Sequence, residues 1–254
     1  MFKNSIALVA GLAVVMPLWA DTVAETEVAA AAVAVSSEPA PAASRWEGRT
    51  DLGYFNQSGS DGGKESLSFK SQLNRTWGDF TWENRAEALS SNDDNSDAGS
   101  ARYLLSSKQR LALSERDYVF VQEQFEKDST SAFRYQFNLT AGYGRSIFSD
   151  DIKELVVEVG AGARYSDPKE GDKEVNAIAT AGLNYRHKLT DTVSFNQRIG
   201  VEGGEDAIIL RSLSEIRVQL REQLSMGAGY DIKHEFSDNN SRLNVMTVSL
   251  GYSY

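Results

Sequence analysis

The chain has 254 residues, no cysteine, and 36 acidic against 26 basic side chains, a formal charge of −10. The missing cysteine excludes disulfides, thiolate metal sites, cysteine nucleophiles and lipoprotein attachment, and the acidic balance argues against a nucleic-acid partner, which needs a basic face. Past the amino terminus no apolar run reaches the roughly 18 residues of a membrane helix, so any membrane crossing must be made by strands.

Residues 1–20 carry Lys3, the apolar run IALVAGLAVVM and PLWA before Asp21, the organisation of a secretory signal peptide. Residues 21–45, DTVAETEVAAAAVAVSSEPAPAASR, are rich in Ala, Glu, Ser and Pro without turn chemistry. They read as a flexible periplasmic segment with a transiently helical Ala-rich middle.

From Trp46 the hydrophobic period becomes two and stays so over residues 46–254. Twelve strands are predicted, at about 46–57, 64–76, 80–91, 100–113, 117–127, 132–146, 154–166, 174–187, 192–203, 208–221, 224–236 and 242–254. Segments of 11 to 15 residues exceed the roughly 5 or 6 of a soluble strand and fit a tilted bilayer span. An even number returns both ends to one side. The fold class is all-β, an antiparallel up-and-down transmembrane β-barrel.

The sixth strand, AFRYQFNLTAGYGR, sets Phe133, Tyr135, Phe137, Leu139, Ala141 and Tyr143 against Arg134, Gln136, Asn138, Thr140 and Gly142. A soluble sandwich would not turn that apolar face outward and arginine inward, whereas a barrel in lipid does. The seventh repeats the pattern with Leu155, Val157 and Val159 against Glu154, Glu158 and Arg164, and the eighth with Val175, Ala177 and Leu183 against Asn176, Asn184 and Arg186. The fifth, DYVFVQEQFEK, fits either register. The chain ends NVMTVSLGYSY, with Met246, Val248, Leu250, Tyr252 and Tyr254 on one face. This stretch resembles the carboxy-terminal assembly signal of outer-membrane barrels, with Leu250, Tyr252 and Tyr254 as its residues and the barrel-assembly machinery as its partner.

If the first strand runs outward, the external loops are polar: SGSDGG (58–63), NDDNSDAG (92–99), DSTS (128–131), SDPKEGDK (166–173), GGED (203–206) and SDNNS (237–241). The opposite connections are tight. Trp46, Trp77, Trp82, Tyr185, Tyr252 and Tyr254 then fall at the periplasmic ends, and Tyr54, Tyr103, Phe133, Tyr135, Tyr165 and Phe236 at the others, as two interfacial belts.

Inward positions carry interleaved charges, with Arg49, Lys70, Glu83, Arg85, Arg110, Arg134, Glu158, Arg164, Arg186, Arg198, Glu215 and Arg217 as lumen-lining candidates. Eight strands leave an interior filled by side chains and sixteen leave a channel, so twelve permit either a charge-paired plug or a narrow polar pore. Mixed signs argue against strong ion selectivity.

Catalysis finds little support. The two histidines, His187 and His234, stand at outward positions near strand ends, and only His234 with Asp238 offers an acid–histidine pair at the external mouth. The Asn92 to Asp97 loop has oxygen ligands for calcium but lacks the glycine and distant glutamate of an EF-hand, so it reads as a solvated loop or a divalent-cation bridge to lipopolysaccharide.

The stretches DLGYFNQSGSDGGKESLSFKSQL, YVFVQEQFEKDSTSAFRYQFNLTAGYGRSIF and VSLGYSY together resemble the family of salt-induced outer-membrane proteins, over roughly residues 46–254. Ser58-Gly59-Ser60-Asp61 stands where that pattern suggests Ser-Gly-Asn-Thr. The resemblance implies location in the cell outer membrane and a barrel fold, and it brings no catalytic or binding residues. The expected protein is a non-enzymatic barrel with a structural or envelope-stress role. The alternatives are a narrow, weakly selective porin for small polar solutes and, third, an outer-membrane hydrolase. No cofactor or metal is expected, and the expected partners are outer-membrane lipid, lipopolysaccharide and the barrel-assembly machinery.

Overall fold

In a computed structural model the described residues are 45–57, 64–93, 99–237 and 240–254. They belong to the second of two contact units, residues 41–254. The expected signal peptide, nearly all of the 21–45 segment, the first external loop and parts of the 92–99 and 237–241 loops, with Asp238, lie outside the described residues.

Alternating apolar and polar residues with turn formers between them give twelve strands: β1 (Arg45–Gln57), β2 (Lys64–Trp77), β3 (Phe80–Asp93), β4 (Ser100–Ala112), β5 (Asp117–Asp128), β6 (Phe133–Ser149), β7 (Lys153–Pro168), β8 (Glu174–Lys188), β9 (Val193–Gly204), β10 (Ile208–Gln219), β11 (Leu224–Phe236) and β12 (Ser241–Ser253). Each pairs antiparallel with its sequence neighbours, and β12 closes on β1 as a barrel. Closure removes the sheet edges, which is what allows strands to sit in an apolar medium with every ladder satisfied. The loop end carries the connections after the odd strands. The terminal end carries the start of β1, the carboxy terminus and turns such as 150–152, where Asp150 Oδ1 accepts the Ile152 and Lys153 amides at 2.8 and 2.6 Å. Those two amides hold the Asp150 carboxyl below the usual carboxylate range.

The seam is short. β1 and β12 are in register over six pairs, from Arg49↔Ser253 to Tyr54↔Val248, whereas β1 and β2 match over thirteen. At its foot Gly48 and Tyr254 exchange backbone hydrogen bonds of 2.8 and 3.0 Å. The Tyr254 ring lies where a Gly48 Cβ would be, 2.1 Å from it, so only glycine lets the terminal aromatic lie across the seam.

Period two translates into facing. On β12, Met246, Val248, Leu250 and Tyr252 are exposed on the outer wall while Leu243, Val245 and Thr247 are buried. Both aromatic belts form. At the terminal end Trp46 lies 6.5 Å from Trp82, and the Arg75 guanidinium sits 5.0 Å from the Trp46 ring and 5.2 Å from that of Trp77. At the loop end Tyr135 stacks between Phe125 and Tyr165, at 6.0 and 6.1 Å.

β6 departs from the expected alternation. Its pairing with β7 shifts register between Phe133 and Tyr135, a β-bulge that reverses the facing of the first two residues. Phe133 is therefore buried against Ala207 and Ile209 instead of joining the outer belt. Arg134, expected in the lumen, is 60% exposed and pairs with Asp167 at 3.2 Å and the Lys169 carbonyl at 3.1 Å.

β5 takes the register that turns Tyr118, Phe120, Glu126 and Asp128 inward. This leaves Glu123 exposed on the outer wall at mid-strand, opposite Ser107 on β4. Ser107 Oγ accepts from Trp82 Nε1 at 2.9 Å and from Gln109 Nε2 at 3.0 Å, so a polar spot interrupts the apolar wall. A carboxylate facing lipid near mid-depth costs stability, so Glu123→Leu should stabilise the barrel by about 1 kcal/mol in vesicles, read by urea unfolding. An unchanged midpoint would mean that lipid does not reach this position.

Candidate functional site

The lumen gathers most of the charge singled out in the sequence, and its two halves differ. Toward the loop end, side chains from opposite walls meet. Lys233 on β11 reaches across to β5, where its Nζ lies 2.8 Å from Glu126 and 2.9 Å from Asp128, and it also contacts Glu235 at 3.3 Å. Arg211 on β10 bridges Glu126 and Glu202, the latter at 2.5 Å. Arg164 on β7 bridges Glu202 at 3.2 Å and Asp206 at 3.0 Å, and donates to the Ala207 carbonyl at 3.1 Å. The result is an unbroken chain of ion pairs, Lys233 to Glu126 to Arg211 to Glu202 to Arg164 to Asp206.

Burial shows that this half is packed. Arg164 and Glu235 are 0% exposed, Lys233 1%, Glu126 and Asp128 3%. Above them Ser131 donates to Glu235 at 2.9 Å, drawing the β5–β6 connection over the mouth, and the inward Phe133 packs on Ile209. A second apolar patch, Leu89, Leu243 and Val245, fills the opposite side. Charges this deep persist because each meets an opposite charge, since an unpaired one would be far costlier.

Just below, Arg102 on β4 bridges Asp231 at 3.2 Å and Glu87 at 3.5 Å, and Lys70 approaches Asp231 at 3.6 Å. Arg85 clamps Glu87. Beside the seam Arg217 bridges Asp51 at 2.8 Å and Glu215 at 2.5 Å, and Arg49 holds Asp51 at 3.0 Å. These contacts tie β1 to β10 inside the barrel.

The terminal half is open. A cavity of about 740 Å³ begins beneath the Arg102 and Arg211 layer. Tyr118 lines one wall and Phe120 lies beside it; both rest on β6 because Gly142 and Gly144 leave their Cβ positions empty, where a Cβ would meet the Phe120 and Tyr118 rings at 2.6 and 2.1 Å. Tyr118 Oη donates to Glu158 at 2.7 Å, Lys108 reaches Glu158 at 2.8 Å, and Arg110 stacks 3.8 Å above the Tyr118 ring while pairing with Glu83 at 2.5 Å.

Of the twelve lumen candidates, nine line this cavity: Arg49, Glu83, Arg85, Arg110, Glu158, Arg186, Arg198, Glu215 and Arg217. Arg164 lies in the packed layer and Lys70 on Asp231, while Arg134 is outside. Sequence reasoning missed Glu126 and Asp128, whose strand was ambiguous, Asp206 in a short connection, and the aromatic wall. The two glycines on the inward face of β6 were the available signal for that wall. His187 and His234 stand beside aromatics, His234 stacked 4.0 Å from Phe236 and His187 6.1 Å from Tyr185, and neither is hydrogen-bonded to a serine or ion-paired with a carboxylate among the described residues. Leu250, Tyr252 and Tyr254 present exposed apolar surface on the outer wall.

Among known proteins, a family model described as "Protein of unknown function, DUF481" matches residues 50–254. The uncharacterized protein YdiY of Escherichia coli (strain K12) is 31% identical over 228 residues, which cover 86% of this chain and 87% of that protein. Two solved structures are similar to this chain at low identity. A NanC porin is 8% identical with a TM-score of 0.49 over 83% of this chain and 99% of its own. The COG4313 outer membrane channel from Pseudomonas putida F1 is 11% identical with a TM-score of 0.49 over 88% and 99%.

Proposed function

Starting from the fact that this chain belongs to the DUF481 family, which hands down no activity, we propose that it is a non-enzymatic outer-membrane barrel whose lumen is plugged and whose role is structural, as a part of the envelope called on under osmotic stress. The ion-pair chain from Lys233 to Asp206 carries this reading, because it fills the loop half of the lumen with side chains that, apart from the partly exposed Arg211 and Glu202, are almost fully buried. The outer wall supports the location. Leu52, Leu67, Leu105, Val159, Met246 and Leu250 are about half exposed on it, between two aromatic girdles. A signal peptide at residues 1–20 and the terminal Leu250, Tyr252 and Tyr254 would deliver the chain to the assembly machinery, with lipid and lipopolysaccharide as its surroundings.

The protein in planar bilayers should show no stepwise conductance, with insertion verified by heat-modifiable migration of the same sample. Steady conductance from inserted, folded protein would overturn the plug. It would favour instead the narrow, weakly selective porin, the reading that the 740 Å³ cavity in the terminal half supports.

A further inference from the structure

The cavity in the terminal half holds a guanidinium that has no carboxylate at ion-pair distance among the described residues. Arg198 on β9 and Arg85 on β3 enter it from opposite walls, six strands apart in the ring of twelve. Arg198 spends its Nε on the Asn184 side-chain oxygen at 3.1 Å and has no carboxylate within ion-pair distance among the described residues. Its two terminal nitrogens therefore remain for something else. Arg85 engages Glu87 through Nε and one terminal nitrogen, which leaves its other terminal nitrogen uncommitted. Arg85 faces Arg198 across the cavity as a like charge, and Glu87, Glu215 and Asp231 act on it as opposite charges without pairing to it.

Two guanidinium groups brought together in a confined space repel each other unless an anion stands between them. The surroundings favour one. The cavity lining carries ten Lys and Arg side chains against eight Asp and Glu, although the whole chain has a formal charge of −10. Toward the terminal mouth stand Arg186 and Lys188, which also lack a carboxylate partner among the described residues. Cations on the way in and a pair at the bottom make a path that gathers negative charge between the barrel walls. Planar guanidinium forks match the paired oxygens of carboxylate, sulfate or phosphate.

We propose that the terminal half of the lumen is a binding site for a small anionic solute, whose carboxylate, sulfate or phosphate group is held between Arg198 and Arg85 and which enters past Arg186 from the side of the carboxy terminus. The site does not depend on the plug. A conducting barrel would keep it as a station along a pore, and a plugged barrel has it as a dead-end receptor.

Calorimetric titration of the folded protein in zwitterionic detergent tests this, with sulfate, phosphate and acetate compared against chloride at constant ionic strength. Saturable binding of at least one oxyanion is expected, weakened tenfold or more by Arg198→Gln and only partly by Arg198→Lys. Arg186→Gln, at the mouth and free of ion pairs among the described residues, should keep the fold and weaken oxyanion affinity about threefold, and it serves if Arg198→Gln does not assemble. Absence of oxyanion binding beyond that of chloride would overturn the site, as would equal affinity in wild type, Arg198→Gln and Arg186→Gln.

Discussion

Replacing Lys233 by alanine should cost the barrel about 3–5 kcal/mol, because it leaves Glu126, Asp128 and Glu235 buried around a missing cation. Lys233 is not a surface pair whose loss water would absorb. Its side chain is 1% exposed, and its three partners come from two strands on opposite walls, so no small movement brings water to all of them. Arg211, which shares Glu126, can compensate one carboxylate at most while it also holds Glu202. Adding Asp128→Asn to Lys233→Ala should recover part of the loss by removing one of the three buried charges, a coupling that a double-mutant cycle measures directly. Urea unfolding in lipid vesicles, followed by the intrinsic tryptophans, reads both variants. A loss under about 1 kcal/mol would mean that the layer is hydrated and its charges screened.

Val159→Arg should be comparably damaging for the opposite reason. Val159 stands near the middle of β7, 58% exposed on the outer wall and in register with Tyr143 and Ala181. An arginine there faces hydrocarbon and should cost about 2–4 kcal/mol at mid-depth. The same substitution measured in a short-chain detergent, where headgroups reach the wall, should cost much less. Equal losses in thick bilayers and in detergent would contradict a lipid-facing β7.

The contrast between these two variants marks what period two conveys. Alternation says which way a side chain points, because successive residues of a strand must face opposite sides. It therefore gave the facing of β12 and β7, and strand ends within a few residues. It fails where one residue is added without partner, as at Phe133 and Arg134, since a bulge leaves no mark in hydrophobicity and reverses everything before it. β5 was ambiguous because aromatics suit both faces: Tyr118 and Phe120 lie inward over glycines while Phe125 lies outward in the belt. Pairing across the lumen lies further out of reach. Lys233 and Asp128 are 105 residues apart, and only the closure of the ring sets β11 opposite β5.

The short register between β1 and β12 has a consequence for how the ring comes into being and comes apart. Backbone ladders elsewhere are ten pairs or longer, as between β5 and β6, and they join neighbours that are synthesised together. The six-pair seam joins the first strand to the last, so the ring is not closed until it forms. Its ladder is too brief to dominate that final step. Closure leans on the lateral ties that cross it inside, Asp51 to Arg217 and Arg49 to Ser225, and on the aromatic terminus lying over Gly48. Thermal breathing of the finished wall is expected to start along this one line, where rupture needs the fewest hydrogen bonds to break at once.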